Sequence, residues 1–101
     1  MMPAKLPKSI HIGGREIAVR VDATLEAWGE YHADEREIVI ASRTLGKASS
    51  LKETLRHEML HAALDIAGIS YLKNFEEEAI VRCIDGIFHP AWETVRKQLA
   101  P

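Results

Sequence analysis

The segment "TLRHEMLHAALDIAG", residues 54–68, places two histidines four residues apart, with a glutamate directly after the first. His57, Glu58 and His61 thereby match the pattern H-E-x-x-H. On a helix, residues four apart lie on one face, so both imidazoles can bind one metal ion. Glu58 lies about 100° around the helix from His57, where it can exchange protons with a water beside the metal. The segment predicts a zinc site with Glu58 as catalytic base and acid.

The same pattern also has an ordinary structural interpretation. A five-residue motif matches by chance in some helices, and His57 and His61 would then be surface histidines or hydrogen-bonded core histidines. Three features of the context favour the metal site. The motif lies inside a strongly predicted helix, that helix follows predicted strands, and an acid-rich second helix comes after a short loop.

A catalytic zinc site needs a third protein ligand. The metzincin pattern, with a later glycine and histidine, is absent because residue 67 is alanine and no such pair follows. The better source is "NFEEEAIV", residues 74–81, because two histidines and one glutamate form a known catalytic zinc set. The three candidates in this segment are Glu76, Glu77 and Glu78.

Helical spacing favours Glu77 among these three. It precedes the predicted apolar stripe of the second helix by three, four, seven and eleven residues, the stripe being Ile80, Val81, Ile84 and Phe88. A carboxylate on a buried face is costly without a partner, so Glu77 is expected to meet a cation. Glu76 is the second candidate, and Glu78 is expected to face solvent. A capping box between Asn74 and Glu77 is the structural alternative, and Asp65 or His89 are further candidates for the third ligand.

Other polar side chains could support the site. Asp65 comes one turn after His61 and could orient its ring by accepting the Nδ1 proton. Three residues, Tyr31, His32 and Tyr71, could stabilise an oxyanion, and their spacing selects none of them. Three others, Cys83, Trp28 and Trp92, are expected to be packing residues.

The elements that position the motif follow from hydrophobic periodicity. Residues 9–21, "SIHIGGREIAVRV", predict a hairpin, because Gly13 and Gly14 can adopt the positive φ angles of a tight turn. Residues 25–31 alternate weakly, and residues 38–41 form a short buried-strand run. Because the connections are short, these segments predict a sheet of three or four mostly antiparallel strands.

Helical period dominates the rest of the chain. A capping box of Ser50 and Glu53 predicts that the motif helix starts at residue 51, and Gly68 is a natural residue to end it. Asn74 is expected to cap the second helix, and Pro90 to stop or kink it before a last helical segment. The predicted fold class is α+β, with a short sheet packed on two to three helices.

Composition limits the remaining possibilities. The chain has 101 residues, 47% of them hydrophobic, a net charge of −2 and one cysteine. These values predict a single domain over residues 1–101, without internal disulfides and without the basic surface typical of nucleic-acid partners. No apolar run of signal-sequence or membrane-span length is apparent, so a cytoplasmic protein with no membrane partner is expected.

Three segments together resemble the small phage- and prophage-type zincin-like metallopeptidases, which are compact relatives of the ImmA/IrrE group. They are "TLRHEMLHAALDIAG", "EEEAIVRCIDGIFH" and "GEYHADEREIVIA". The resemblance implies a gluzincin-like site in which His57, His61 and Glu77 bind zinc and Glu58 is the catalytic acid and base. It also implies a role in phage biology in a bacterial host, with cleavage of a repressor-type protein as one possibility.

The expected function is zinc-dependent hydrolysis of a protein or peptide substrate. A strand edge containing residues 36–41 could hold the extended substrate by backbone pairing. Two alternatives stay open: a catalytically idle, zinc-stabilised regulatory module of phage origin, and a metal-dependent amide hydrolase acting on a non-protein substrate. A fourth protein ligand closing the metal site would favour the idle module.

Overall fold

A computed structural model describes residues 6–69 and 73–99, which belong to two units, Met1–Ser70 and Tyr71–Pro101. The first unit contains four strands, a 3-10 helix and one long helix. They are β1 (Ser9–Ile12), β2 (Arg15–Asp22), β3 (Gly29–His32), β4 (Glu37–Ala41), the 3-10 segment Ser42–Gly46 and α1 (Ala48–Ile66). The second unit is helical. The predicted α+β class is therefore confirmed.

The four strands form one mixed sheet in the order β1-β2-β4-β3. The outer pairs, β1 with β2 and β3 with β4, are antiparallel, whereas β2 and β4 are parallel. The prediction that residues 36–41 form a free sheet edge is wrong, because β4 lies between β2 and β3. Its sequence explains this position: Ile38, Val39 and Ile40 are all fully buried, which is typical of a strand covered on both faces.

The predicted hairpin is confirmed. Gly13 and Gly14, between β1 and β2, have φ angles of +58° and +79°, as a two-residue turn with matching twist requires. The turn also lies against the end of α1, because a Cβ on Gly13 would stand 2.9 Å from Cγ2 of Ile66. Glycine at this position therefore serves both the turn and the close approach.

Strand β3 starts later than the alternation of residues 25–31 predicts. The Arg43 side chain donates to the backbone carbonyls of Leu25 at 2.7 Å, Ala27 at 3.0 Å and also Glu26. Its guanidinium also lies 4.8 Å from the ring centroid of Trp28. Because the carbonyls of residues 25–27 accept hydrogen bonds from Arg43, they do not pair with a neighbouring strand. Residues 25–27 therefore form a loop before β3.

Helix α1 packs on the sheet through a stripe of apolar residues that includes Leu51, Leu55, Met59 and Ile66. Their partners are the buried strand residues Ile17, Val19, Ile38 and Ile40. The predicted cap is wrong, because α1 starts at Ala48, one residue after the 3-10 segment, and its N-cap residue Lys47 makes no side-chain cap bond. The predicted end is confirmed: Gly68 has φ +81°, and the bonds from Gly68 N–H to the Asp65 carbonyl and from Ile69 N–H to the Leu64 carbonyl form a Schellman motif.

The second unit consists of α2 (Asn74–Cys83), a π-helical segment (Ile84–Phe88) and α3 (His89–Leu99). The π segment explains how the chain stays helical at Pro90. Proline lacks an N–H, so the carbonyl four residues earlier has no α-helical donor. A π turn shifts the pairing to five residues, as in the bond from His89 N–H to the Ile84 carbonyl. Among residues 6–69 and 73–99, no helix has both the length and the apolar character needed to cross a bilayer.

Candidate metal centre

His57 and His61 lie one turn apart on α1 and are both half-buried. Their ring centroids are 5.0 Å apart at an interplanar angle of 65°, and their potential ligand atoms lie within 4.8 Å of each other. Two nitrogens bonded to one zinc ion stand about 3–4 Å apart, so a small rotation of the rings would suffice for joint binding. The pair thus has the chemistry and spacing of a metal-binding pair.

The sheet determines the direction in which these imidazoles point. Leu55 and Met59 face the sheet core. His57 is two residues from both of them and His61 is two residues from Met59, which corresponds to a rotation of about 200° around the helix. Both rings are therefore directed away from the sheet. This arrangement follows from the alternation of apolar and polar positions along one helix, and it requires no unusual backbone geometry.

Glu58 is one of two buried polar or charged residues of the described chain, with 7% of its surface exposed. An uncompensated carboxylate in such a position would be strongly unfavourable. Among the described residues, however, no buried side-chain nitrogen or oxygen lacks a hydrogen-bond partner. Glu58 is therefore a buried carboxylate that directly follows His57 on α1.

The structure gives Asp65 a partner other than His61. The Tyr31 hydroxyl, on β3, donates to Asp65 Oδ2 at 2.7 Å. This bond connects the edge strand to the C-terminal half of α1. It also uses the hydroxyl proton that an oxyanion-stabilising Tyr31 would have to offer. Tyr31 and Asp65 thus act together to hold β3 against the helix that bears the motif.

His32 belongs to a surface group of charged residues. Its Nε2 lies 3.0 Å from a carboxylate oxygen of Glu30, and its Nδ1 lies 3.9 Å from Glu37. Glu37 also accepts from Arg20 at 2.8 Å, and this hydrogen bond raises the pKa of the Arg20 guanidinium. Tyr71, the remaining candidate for oxyanion stabilisation, lies outside the described residues.

The three glutamates of α2 are all half-buried. Val81 is the fully buried residue of this helix, and Glu77 and Glu78 precede it by four and three residues, so both lie on its side. Glu76, five residues before Val81, is rotated away. The prediction that Glu78 faces solvent is therefore wrong, and burial leaves Glu77 and Glu78 as comparable candidates.

The alternatives to a metal-binding glutamate on α2 are a helix cap formed by Asn74 with Glu77 and a ligand role for His89. The expected cap is wrong, because α2 begins at Asn74 after an N-cap residue, Lys73, with no side-chain cap bond. A capping box of Asn74 and Glu77 thus does not explain Glu77. His89, the alternative ligand, has its Nε2 3.7 Å from a carboxylate oxygen of Glu93 within α3.

The predicted buried stripe of this unit needs correction. Val81 is buried and Ile80 and Ile84 are half-buried, but Phe88 is exposed. A π segment advances each residue by a smaller angle than an α-helix does, so Phe88 leaves the stripe. Without Phe88 the stripe is still centred near Glu77, but Val81 is the one fully buried residue among its remaining members, and relative to Val81 alone Glu77 and Glu78 are not separated. Cys83 is also exposed, contrary to the prediction of a packing role.

Comparisons of the chain with family models, with curated proteins and with solved structures found no significant match.

Proposed function

We propose that this protein is a zinc-dependent metallopeptidase of the bacterial or phage-infected cytoplasm, acting on a protein or peptide substrate. The observation that supports it is one helix that combines two half-buried imidazoles, His57 and His61, with the buried carboxylate of Glu58. The resemblance to small phage-type zincin-like peptidases is consistent with this proposal. Neither nucleic acid nor a membrane is proposed as a partner.

The chemistry divides between the metal and the carboxylate. A zinc ion held by the two histidines would supply Lewis acidity toward a water molecule and a scissile carbonyl. Glu58 takes the proton from the attacking water and returns it to the amine nitrogen of the leaving group. Its burial limits competing hydrogen bonds from solvent and keeps the carboxylate directed by the helix.

The third ligand is proposed to be a glutamate of α2, with Glu77 and Glu78 as the two candidates. Both are half-buried on the side of Val81, and a carboxylate completes a His₂Glu set. Variants of Glu76, Glu77 and Glu78 to alanine can be compared by thermal melting with zinc and with chelator. A metal that binds only the folded state stabilises it by mass action, so loss of the true ligand should reduce the zinc-dependent increase in Tm.

We place the substrate-binding edge on β3 instead of residues 36–41. In the sheet order β3 is terminal, and within the described residues β4 is its strand neighbour. Hydrogen bonding and packing to α1 through Tyr31 and Gly29 hold β3 beside the motif helix. An extended peptide could add to such an edge through backbone hydrogen bonds, whose formation depends little on the peptide sequence.

The decisive experiment separates metal binding from turnover. Glu58→Gln keeps the side-chain shape and should keep stoichiometric zinc, while cleavage of a peptide library falls by roughly 10²–10⁴-fold. Glu53→Gln, an exposed position on the same helix, is the matched control and should change neither property. His57→Ala should abolish tight zinc binding, measured by elemental analysis after chelator treatment and reconstitution.

The outcomes distinguish the alternatives. Absence of stoichiometric zinc in the reconstituted parent would contradict the metal site itself. Zinc binding without cleavage of any peptide would favour the idle regulatory module or a hydrolase of a non-protein amide. Equal cleavage by the parent and Glu58→Gln would remove Glu58 from the reaction.

A further inference from the structure

The last helix, together with the end of the π segment before it, exposes a continuous apolar stripe. Four residues form it, and we name them the α3 seam: Phe88, Trp92, Val95 and Leu99, with 59%, 44%, 43% and 72% of their surfaces exposed. Their spacing of four, three and four residues is the a/d pattern of a helix that pairs with another helix. The sequence-based prediction that Trp92 packs inside the chain is therefore wrong.

Helix α3 is the last part of a continuous helical run from Asn74 to Leu99, and none of its 11 residues is buried. Most helix stability in proteins comes from packing of an apolar face, and this part of the run has an apolar face that remains exposed. A partner on the α3 seam would supply that packing.

The order of side chains along the α3 seam fits a second copy in antiparallel orientation. The seam has aromatic residues at its N-terminal end and aliphatic residues at its C-terminal end. In an antiparallel pair, Trp92 stands opposite Val95 of the other copy, and Phe88 stands opposite Leu99. Large side chains then meet smaller ones, which permits interdigitation, whereas a parallel pair would place Trp92 against itself.

The charges beside the α3 seam are compatible with this self-pairing. Arg96 donates to Glu93 at 2.7 Å within the same helix, and His89 lies 3.7 Å from the same carboxylate. In the antiparallel register Arg96 stands level with Ala91 of the other copy, and His89 stands level with Gln98. In this register no two like charges stand opposite each other. The charge of Glu93 is already balanced within its own helix, so the seam offers little electrostatic attraction to a strongly charged helix of another protein.

The area suits a weak dimer. With a fully exposed aromatic side chain presenting about 150–250 Å², the four residues expose about 400–500 Å² per chain. Two copies would then bury about 800–1,000 Å² from the seam alone, which is below the about 1,200 Å² of stable specific interfaces and within the range of weak, transient association.

From these observations we propose that the α3 seam is the interface of an antiparallel homodimer with micromolar affinity. The interface is isologous: the same stripe contributes from both copies, and the pairing closes at two chains. This inference is independent of the proposed peptidase activity.

Dimerisation is tested by sedimentation velocity of the full chain from about 1 to 300 µM, which spans the expected micromolar range. The parent should shift from monomer to dimer. Val95→Lys places an ammonium in the apolar seam and should raise the dimer Kd by about tenfold or more. Thr94→Lys adds the same side chain on the adjacent exposed position and should change Kd by less than about twofold. A parent that stays monomeric at every concentration, or equal effects of the two variants, would overturn the proposal.

Orientation is tested by disulfide formation in a Cys83→Ser background. Chains with Phe88→Cys are mixed with chains carrying Leu99→Cys under mild oxidation. The antiparallel register predicts that the mixed disulfide forms preferentially over either homodisulfide. Preferential homodisulfides would overturn the antiparallel arrangement, and this assay does not require either variant to alter stability.

Discussion

Gly29 stands where the edge strand comes closest to the motif helix, and its replacement by alanine tests that packing. A Cβ at this position would lie 2.7 Å from Cγ2 of Thr54 on α1. It would also lie 3.2 Å from Cδ1 of Ile40 and 3.2 Å from the Val39 carbonyl oxygen. Carbon atoms in contact prefer about 3.5–4.0 Å, so the methyl group would overlap Thr54 by about 1 Å.

The expected cost can be placed within the range for overpacked cores. Such substitutions destabilise by about 1–3 kcal/mol. The Ile40 side chain can move, but the Val39 carbonyl belongs to a central strand, so we expect the upper half of that range for Gly29→Ala. For a domain of this size, each kcal/mol lowers Tm by about 4–8 °C. Gly46→Ala is the control, since a Cβ there meets no atom within 4 Å.

The assay is urea unfolding of the metal-free protein, so that the result does not depend on zinc. Thr54→Ser removes the Cγ2 methyl and should recover about 1 kcal/mol or more in the Gly29→Ala background. A Gly29→Ala variant as stable as Gly46→Ala would refute the close approach of β3 and α1. A loss of stability that Thr54→Ser does not relieve would show that the strain lies elsewhere.

The remaining predictions concern single contacts and their dependence on pH. Tyr31→Phe leaves the half-buried Asp65 carboxylate without its donor and should cost about 1.5–3 kcal/mol in urea unfolding; a change below about 0.5 kcal/mol would contradict it. Gly68→Ala places a Cβ at φ +81° and should lower stability by about 1–2 kcal/mol in the same assay. Hydrogen bonds from Thr24 lower the pKa of Asp22. The stabilisation from that carboxylate is complete above the pKa it has when unfolded and is lost as pH falls through its lower folded value, so Asp22→Ala should destabilise at pH 7 but progressively less below about pH 4. Zinc affinity, measured by competition with a chelator, should fall in acid because imidazole binds metal only in its neutral form.

Local rules account for the elements that the sequence predicts well. The Gly13-Gly14 turn follows from the need for two positive φ angles, and the end of α1 follows from Gly68 in a Schellman motif. The histidine pair belongs to the same category. Two residues four apart on one helix have their geometry determined by the helix itself, so H-E-x-x-H predicts their proximity without knowledge of the sheet.

The sheet order could not be predicted in the same way. The parallel pairing of β2 with β4 brings together residues that are distant in sequence. It also places β4 between β2 and β3, although β4 comes after β3 in the chain. Short connections favour antiparallel neighbours, which is correct for two of the three pairings. Nothing local in residues 25–28 indicates that Arg43, from beyond β4, will bind three carbonyls and shorten β3.

The proposed third ligand can be predicted only in part from the sequence, and the reason is the angle between neighbouring residues on a helix. Neighbouring residues on a helix differ by about 100°, so an apolar stripe can distinguish Glu77 from Glu78 only if its centre is known to within half that angle. The predicted stripe of Ile80, Val81, Ile84 and Phe88 is centred on Glu77, whereas in the structure Val81 is the one fully buried residue of α2 and becomes the reference. Glu77 and Glu78 then lie on either side of the reference direction. The helical pattern therefore limits the ligand to two neighbouring carboxylates, and only their separate effects on zinc-dependent stability can choose between them.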